Sequence, residues 1–202
     1  MGKRRGTVFI ALGLLLLMGA AGLTLYNMNQ ETEAGEESDV VMTELTGILD
    51  EATASRPPAE LLPPEEEEPE PVELDGRSYL GVITFPTLGL QLPVQTEWSY
   101  PNLKVSPCRM SGSPTTDDLV ILAHNYRTHF GNLKNLEAGD EVSVTLIDGA
   151  TYVYSVDAKE IVPPTAVEDV TSGEWPLTLF TCTLGGRTRV VVHCDWAEEA
   201  SE

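Results

Sequence analysis

The distribution of apolar and polar positions divides the chain into three parts. Residues 7–26 are a continuous uncharged stretch rich in Leu, Ala and Gly. Residues 27–76 are acidic and rich in proline, and residues 77–197 contain short apolar runs with the spacing of β-strands. The pattern predicts one helix, a linker and one β-rich domain, with a short segment at 1–6 before the helix and an acidic tail at 198–202.

The stretch from Thr7 to Tyr26 is long enough to cross a membrane. Its 20 residues would span about 30 Å as a helix, which is the thickness of the bilayer hydrocarbon core. Lys3, Arg4 and Arg5 precede it, so we expect a cytoplasmic N-terminus, a single-pass anchor and an extracytoplasmic remainder. A cleaved signal peptide is the alternative, because Met18–Gly22 is rich in small residues. The length of the apolar run favours the uncleaved anchor.

The segment at 27–76 carries half of the chain's acidic residues. Sixteen of the 32 acids lie between Glu31 and Asp75, together with a single base, Arg56. Charge repulsion and proline stiffness predict an extended, solvated linker, although the apolar spacing within Val40–Ala54 also fits a short helix. The net charge of −20 argues against nucleic acid binding, and anionic headgroups would repel this segment.

The remaining residues predict an all-β domain. A hairpin signal, Asp148-Gly149, separates two alternating runs. Short helical pieces are expected near Ser99–Leu103, Phe130–Leu136 and Ala166–Val170. About seven strands with few helices indicate a closed or nearly closed β-barrel, and a sandwich is the alternative. The predicted strands are Tyr79–Phe85, Leu88–Gln95, Asp118–His124, Glu141–Ile147, Thr151–Val162, Leu177–Cys182 and Arg187–Cys194.

Two apolar runs end in residues with acid–base or nucleophilic chemistry. Cys182 ends the run that starts at Leu177, and His124 ends the run that starts at Leu119. A Gly185-Gly186 turn then returns the chain to a segment that begins with arginine. A thiol, an imidazole and a guanidinium would together make a cysteine transpeptidase site. A cysteine at a strand end is more often only a small buried apolar residue.

These motifs resemble those of the sortases. The segment Thr178-Leu179-Phe180-Thr181-Cys182, an upstream histidine that ends a strand and an arginine on the strand after the cysteine are all similar to the family signature. The resemblance covers roughly residues 77–196. It implies a closed barrel of about eight strands, with short helices, behind an N-terminal transmembrane helix.

The resemblance also implies roles for individual residues. Cys182 would be the nucleophile, His124 the general acid and base, and Arg189 the group that stabilises the oxyanion. Strand periodicity alone does not separate Arg189 from Arg187, but the family's arginine directly precedes the apolar part of the last strand. Thr181 and Ala123, next to the catalytic pair, are expected to bind substrate. Asn125 is a candidate for orienting the imidazole, whereas His129 and His193 are expected to be packing or surface residues.

The implied activity is sorting of surface proteins. The enzyme would cleave an LPxTG-like signal through a thioacyl intermediate and transfer the protein to an amine of a cell-wall precursor or of a pilin. The subclass and the exact motif stay open. An extracytoplasmic cysteine hydrolase or peptidoglycan cross-linking enzyme is one rival interpretation. A non-catalytic, membrane-anchored β-barrel that binds a partner is another.

The other cysteines and acids have less specific patterns. Extracytoplasmic conditions permit a disulfide between Cys108 and Cys194, and two free thiols are the alternative. The absence of a Cys-x-x-Cys motif excludes a thioredoxin-type or zinc-ribbon site. We expect no cofactor or metal. Calcium held by Asp117-Asp118 and Glu168-Asp169, as in some sortases, is the weaker alternative to solvated loop acids.

Overall fold

A computed structural model describes residues 2–56, 68–166, 170 and 172–197. Helix α1 covers Gly2–Ser55 and helix α2 covers Tyr100–Leu103, and three short 3-10 helices cover Pro86–Leu88, Pro114–Thr116 and Phe130–Asn135. The strands are β1 Val72–Leu74, β2 Arg77–Phe85, β3 Leu90–Gln95, β4 Cys108–Ser111, β5 Leu119–Ala123, β6 Glu141–Leu146, β7 Thr151–Val162, β8 Leu177–Cys182 and β9 Arg189–Trp196. The predicted tail at 198–202 and most of the predicted helical piece at 166–170 lie outside the described residues.

The chain divides into two compact units, residues 1–33 and residues 34–202. The first unit is helical, and its large apolar side chains, such as Phe9 and Leu17, are exposed. Within the described residues, α1 is the one helix long and apolar enough to cross a membrane. Exposed apolar side chains along about 20 residues fit the predicted anchor, because lipid tails would cover them.

Eight strands of the second unit form a closed barrel. Their order is β2-β3-β4-β5-β8-β9-β7-β6, and β6 pairs back onto β2. The predicted closed barrel of about eight strands is therefore confirmed. β1 adds a short hairpin to β2 through Asp75 and Gly76, which both have positive φ. The sequence pattern missed β1 and β4 because three and four residues are too few to show an alternation.

Alternate residues of the strands fill the barrel interior. Ile83, Phe85, Val144, Leu177 and Leu179 are among the fully buried members of this core. A second apolar group, which we call the outer cluster, lies on the other face of β5, β8 and β9. Its buried members are Val120, Val170, Phe180 and Val191. The two groups show that β5 and β8 are covered on both faces, which explains why their sequences are continuous apolar runs.

The second half of α1 packs on the barrel. Ala34, Ser38, Val41 and Leu45 are buried at the spacing of one helix face. Val41 and Leu45 contact Tyr79 and Val82 of β2. The extended linker predicted from residue 27 is therefore wrong up to Ser55. The stretch Val40–Ala54 is helical, as its spacing suggested, but it is part of the 54-residue helix α1 and not a separate short helix. The acidic side chains do not prevent helix formation because Glu36, Glu37, Asp39 and Glu44 lie on the exposed face.

The end of α1 contacts the hairpin between β6 and β7. Arg56 Nη1 donates to Asp148 Oδ2 at 2.8 Å and to the Asp148 carbonyl oxygen at 3.2 Å. Gly149 has a φ of 85°, and a Cβ at this position would lie 2.9 Å from Thr53 Oγ1. The predicted Asp148-Gly149 turn therefore also provides the surface on which the helix ends. The proline-rich part of the predicted linker, residues 57–67, lies outside the described residues.

Candidate active site

The parallel pairing of β5 and β8 brings His124 and Cys182 to the same edge of the barrel. Ala123 is paired with Thr181, and Thr181 Oγ1 donates to the Ala123 carbonyl oxygen at 2.8 Å. Because the strands are parallel, the residues that follow this pair, His124 just after β5 and Cys182 at the end of β8, lie at the same edge of the barrel. Ala123 and Thr181 are themselves buried. Ala123 and Thr181, which we expected to bind substrate, are hydrogen-bonded to each other and stabilise the register of β5 and β8.

The turn after Cys182 places the arginine. Cys182 and Arg189 are directly opposite each other in the antiparallel pairing of β8 and β9. Gly185 and Gly186 have φ values of 83° and 69°, a backbone conformation that glycine adopts without strain. Arg187 lies in this turn and is exposed. The register therefore separates the two arginines, which periodicity alone does not.

The Arg189 side chain is anchored to the turn. Its Nη1 donates to the carbonyl oxygens of Gly186 and Thr188, both at 3.1 Å. The turn is itself closed by Thr183, whose amide donates to the Thr188 carbonyl oxygen at 3.0 Å. A guanidinium has five N–H donors, more than these two bonds require. The anchored group can thus also donate to a substrate oxygen.

His124 begins a tightly folded loop. Its carbonyl oxygen accepts from the Phe130 amide at 3.1 Å, and the Tyr126 carbonyl oxygen accepts from the Gly131 amide at 2.8 Å. A Cβ on Gly131 would lie 2.5 Å from the Asn125 carbonyl oxygen, so only glycine permits this approach. The Tyr126 ring lies 4.8 Å from the His124 ring. Tyr126, which sequence reasoning did not select, is therefore a neighbour of the imidazole.

Burial affects the charge of His124. It lowers the pKa of the half-buried imidazole, and the positive charge of Lys104 lowers this pKa further. Both effects disfavour the imidazolium form. The fraction of molecules with a protonated His124 is therefore smaller than it would be for an exposed histidine.

The other two histidines lie outside this edge arrangement. His129 is fully buried, and burial together with the nearby His124 lowers its pKa to about 4. His193 Nε2 lies 3.0 Å from Glu160 Oε1, and the His193 ring stacks on Trp175 at 5.2 Å. Both residues are packed, which leaves His124 as the histidine at the strand ends. A role for Asn125 in orienting the imidazole stays a prediction.

The Cys108–Cys194 disulfide is not formed, and all three cysteines are free. Cys108 is paired with Leu122, which packs on the outer cluster, whereas Cys194 belongs to the interior core. The two thiols therefore lie on opposite faces of the sheet, with β5 and β8 between their strands. Burial raises the pKa of each to about 12. Cys182 is the one half-exposed thiol of the three.

The predicted calcium ligands are only partly described. The Asp118 carboxylate accepts from the Ser113 amide at 3.0 Å and from the Thr116 hydroxyl, so it caps a turn. Glu168 and Asp169 lie outside the described residues. Among those that are described, no three His, Cys, Asp or Glu side chains are grouped to hold a metal ion.

Comparisons with known proteins identify the family. The family model described as Sortase domain matches residues 83–197. Sortase C1 from Streptococcus agalactiae is 27% identical at a TM-score of 0.55, and the match covers 63% of this chain and 72% of that one. Sortase C from Streptococcus pneumoniae is 21% identical at a TM-score of 0.55, with coverage of 79% and 90%.

A Clostridium perfringens sortase D5 transpeptidase is 19% identical at a TM-score of 0.54, and the match covers 59% of this chain and 79% of that one. A comparison with curated proteins finds no match. The barrel and the matched domain define a cysteine transpeptidase. The chain belongs to the sortase family.

Proposed function

We propose that this sortase is anchored by its N-terminal helix and cleaves an LPxTG-like signal on the outer side of the membrane. In this proposal Cys182 is the nucleophile, His124 the acid and base, and Arg189 the oxyanion donor. The observation that carries the proposal is the register, with Ala123 opposite Thr181 on one side and Arg189 opposite Cys182 on the other. The accessibility of Cys182, compared with two buried thiols, supports it.

The reaction would proceed in two half-reactions. The Cys182 thiolate attacks the threonine carbonyl carbon and forms a C–S bond, while the Arg189 guanidinium donates to the negatively charged oxygen. The C–N bond to the next residue then breaks, and His124 gives its proton to the leaving amine. A second amine attacks the thioester and passes a proton to His124. The C–S bond breaks, and the thiolate and imidazolium are restored.

The reactive ion pair would be a minority form. If the two groups did not interact and kept ordinary pKa values near 8.5 and 6.5, about 9% of cysteines would be ionised and about 9% of histidines protonated at pH 7.5, so about 1% of molecules would carry both charges. The lowered pKa of His124 reduces the protonated share further. This proposal therefore predicts a slow enzyme whose rate depends on both protonation states.

The outer cluster supports an apolar peptide as substrate. By strand alternation, Cys182 lies on the same face of β8 as Phe180. Met110, Leu122 and Val162 are only partly buried where they pack on the outer cluster. This surface would take the leucine and proline of a sorting signal by burying apolar area. The acceptor would be the amine of a cell-wall precursor or a pilin lysine, and the similar sortase C from S. pneumoniae is described as having pilin substrate specificity.

The test is mass spectrometry of the full chain in detergent, incubated with a library of LPxTG-like peptides. We expect a thioester adduct on Cys182, truncated after the threonine, and no adduct on the Cys182→Ala variant. Addition of a glycine-based amine or a lysine peptide should convert the adduct to an amide product and identify the acceptor. An adduct that yields only hydrolysed peptide with every amine would instead favour the hydrolase, and the absence of any adduct would overturn the proposal.

A further inference from the structure

The loop that follows His124 is in contact with one short stretch of α1. A Cβ on Gly35 would lie 3.0 Å from Thr128 Cγ2 and 3.4 Å from Thr128 Cβ. The neighbouring Ala34 and Ser38 are 3% and 2% exposed. The helix thus approaches the loop closely at a position without a side chain, and a larger residue there would push the two apart.

A row of three aromatic rings begins at His124 and leads towards the contact between Gly35 and Thr128. The rings of His124 and Tyr126 are 4.8 Å apart, and those of Tyr126 and His129 are 5.5 Å apart. Backbone groups of Val105 and of Ala34 in α1 are near enough to the buried His129 ring to raise its pKa, although burial lowers that pKa more. We call His124, Tyr126 and His129 the ring series. It extends from the strand edge to the inner face of the helix.

Packing fixes the inner end of the ring series. Among the described residues, neither ring nitrogen of His129 has a hydrogen-bond partner, and the same holds for the buried Ser38 hydroxyl. The opposite side of the loop is fixed by Phe130, which is buried in the barrel and contacts the Phe85 ring edge-on at 5.6 Å. The loop is therefore held between the barrel core and the helix. Without the helix, one of its supports would be missing.

We infer that residues 34–38 of α1 position His124 for catalysis, acting through Thr128 and the ring series. The helix does not touch substrate in this role. It holds the loop against the barrel. The position of the loop in turn maintains the orientation and the partial burial of the His124 imidazole. This inference rests on the proposed role of His124, and it assigns a function in the reaction to the segment between the apolar stretch and the barrel.

A matched pair of glycine substitutions in the full chain tests the inference. Gly35→Leu adds a side chain against Thr128, whereas Gly47→Leu makes the same change in the same helix where nothing lies within 4 Å of the added Cβ. The first readout is the titration of the His124 ring by NMR, which needs no turnover. We expect the pKa of His124 to rise towards its ordinary value in Gly35→Leu, because the displaced loop is more solvated. Gly47→Leu should titrate as the parent protein does.

The second readout is the split between kcat and KM with a sorting peptide. Gly35→Leu should lower kcat by about tenfold or more with KM changed by less than about threefold, since a misplaced acid affects the chemical step. Parent-like titration and kcat in Gly35→Leu would overturn the inference. If that variant does not fold, Gly35→Ala gives a milder contact and should shift the His124 titration in the same direction. Adding Thr128→Ser to the Gly35→Ala chain removes Cγ2 and should restore the parent titration. Failure of that rescue would also overturn it.

The two proposals fail in different ways. If Cys182→Ala retains turnover, the proposed function is wrong, but the His124 titration still reports whether the helix controls the ring. If the titration is insensitive to position 35 while Cys182→Ala is inactive, the sortase mechanism stands and the positioning role does not.

Discussion

The hydroxyl of Thr181 donates a hydrogen bond of 2.8 Å to the carbonyl oxygen of Ala123. This bond joins the last paired positions of two parallel strands whose next residues are Cys182 and His124. A shift of one residue in this pairing would turn one of the two side chains to the opposite face. The bond therefore supports the register on which the proposed site depends.

We predict that Thr181→Val lowers both stability and activity. Valine matches the shape of threonine but lacks the hydroxyl, so the loss of this buried bond should cost about 1–2 kcal/mol in the free energy of unfolding. Thr181→Ser keeps the hydroxyl and serves as the control. Urea unfolding and peptide turnover should separate the two variants. Equal stability and turnover in both would mean that the hydroxyl does not support the register.

The two arginines near the turn should differ in their effect on catalysis. Arg189→Ala and His124→Ala should each reduce kcat/KM by about 10²-fold or more, because each removes a group that acts on the transition state. Arg187→Ala should have a much smaller effect, since Arg187 is exposed in the turn. Steady-state kinetics with one sorting peptide compare all three. A larger loss in Arg187→Ala than in Arg189→Ala would refute the assignment of Arg189.

Alkylation by iodoacetamide should modify one cysteine of the native protein. Burial raises the pKa of Cys108 and Cys194 to about 12, so below pH 9 these thiols are neutral as well as inaccessible. We expect labelling of Cys182 to increase as pH rises, as a minority thiolate requires. Peptide mass spectrometry assigns the site. Fast labelling of Cys182 that stays constant from pH 6 to 9 would instead indicate that the ion pair is the dominant form.

The buried His129 should make the protein less stable in mild acid. Its pKa is about 4 in the folded protein and near 6.5 in an unfolded chain. Between these values the unfolded chain binds the proton and the folded protein does not, so the free energy of unfolding decreases as pH falls. The loss from this one group approaches about 3 kcal/mol at pH 4. His129→Leu should remove this contribution.

The measurement is denaturant unfolding of both proteins at several pH values from 7 to 4. Acidic residues titrate in the same range, so the informative quantity is the difference between the parent protein and His129→Leu. That difference should grow in favour of the variant as pH falls. A difference independent of pH would show that His129 is protonated or solvated in the folded state.

Two adjacent valines test whether residues 34–55 belong to the folded domain. Val41 is 5% exposed and contacts the barrel, whereas Val40 is 56% exposed. Val41→Ala should destabilise the protein by about 2 kcal/mol more than Val40→Ala, from lost apolar burial and the cavity that remains. Both changes alter helix propensity equally, so the comparison cancels that effect. Thermal unfolding of the full chain in detergent measures the difference, and equal melting temperatures would place this stretch outside the cooperative unit.

Local sequence determined most of the barrel. β7 and β8 begin and end at the predicted residues, and the Asp148-Gly149 turn joins β6 and β7 as expected. Alternation, apolar runs and turn residues are properties of a few neighbouring residues, which is why they can be read along the chain. The motif around Cys182 and the histidine after β5 indicated the family, which the matched domain confirms.

Tertiary structure decided the features that depend on distant partners. The acids and prolines of residues 27–76 predicted a solvated linker, because charge and composition do not reveal that the face of Ala34, Ser38, Val41 and Leu45 packs on β2 and the His124 loop. Spacing along the chain allowed a Cys108–Cys194 bond, whereas the barrel puts the two thiols on opposite faces. The direct pairing of Arg189 with Cys182 and the ring series around Tyr126 likewise follow from strand register and loop packing, since contacts between remote segments leave no periodic signal in either segment alone.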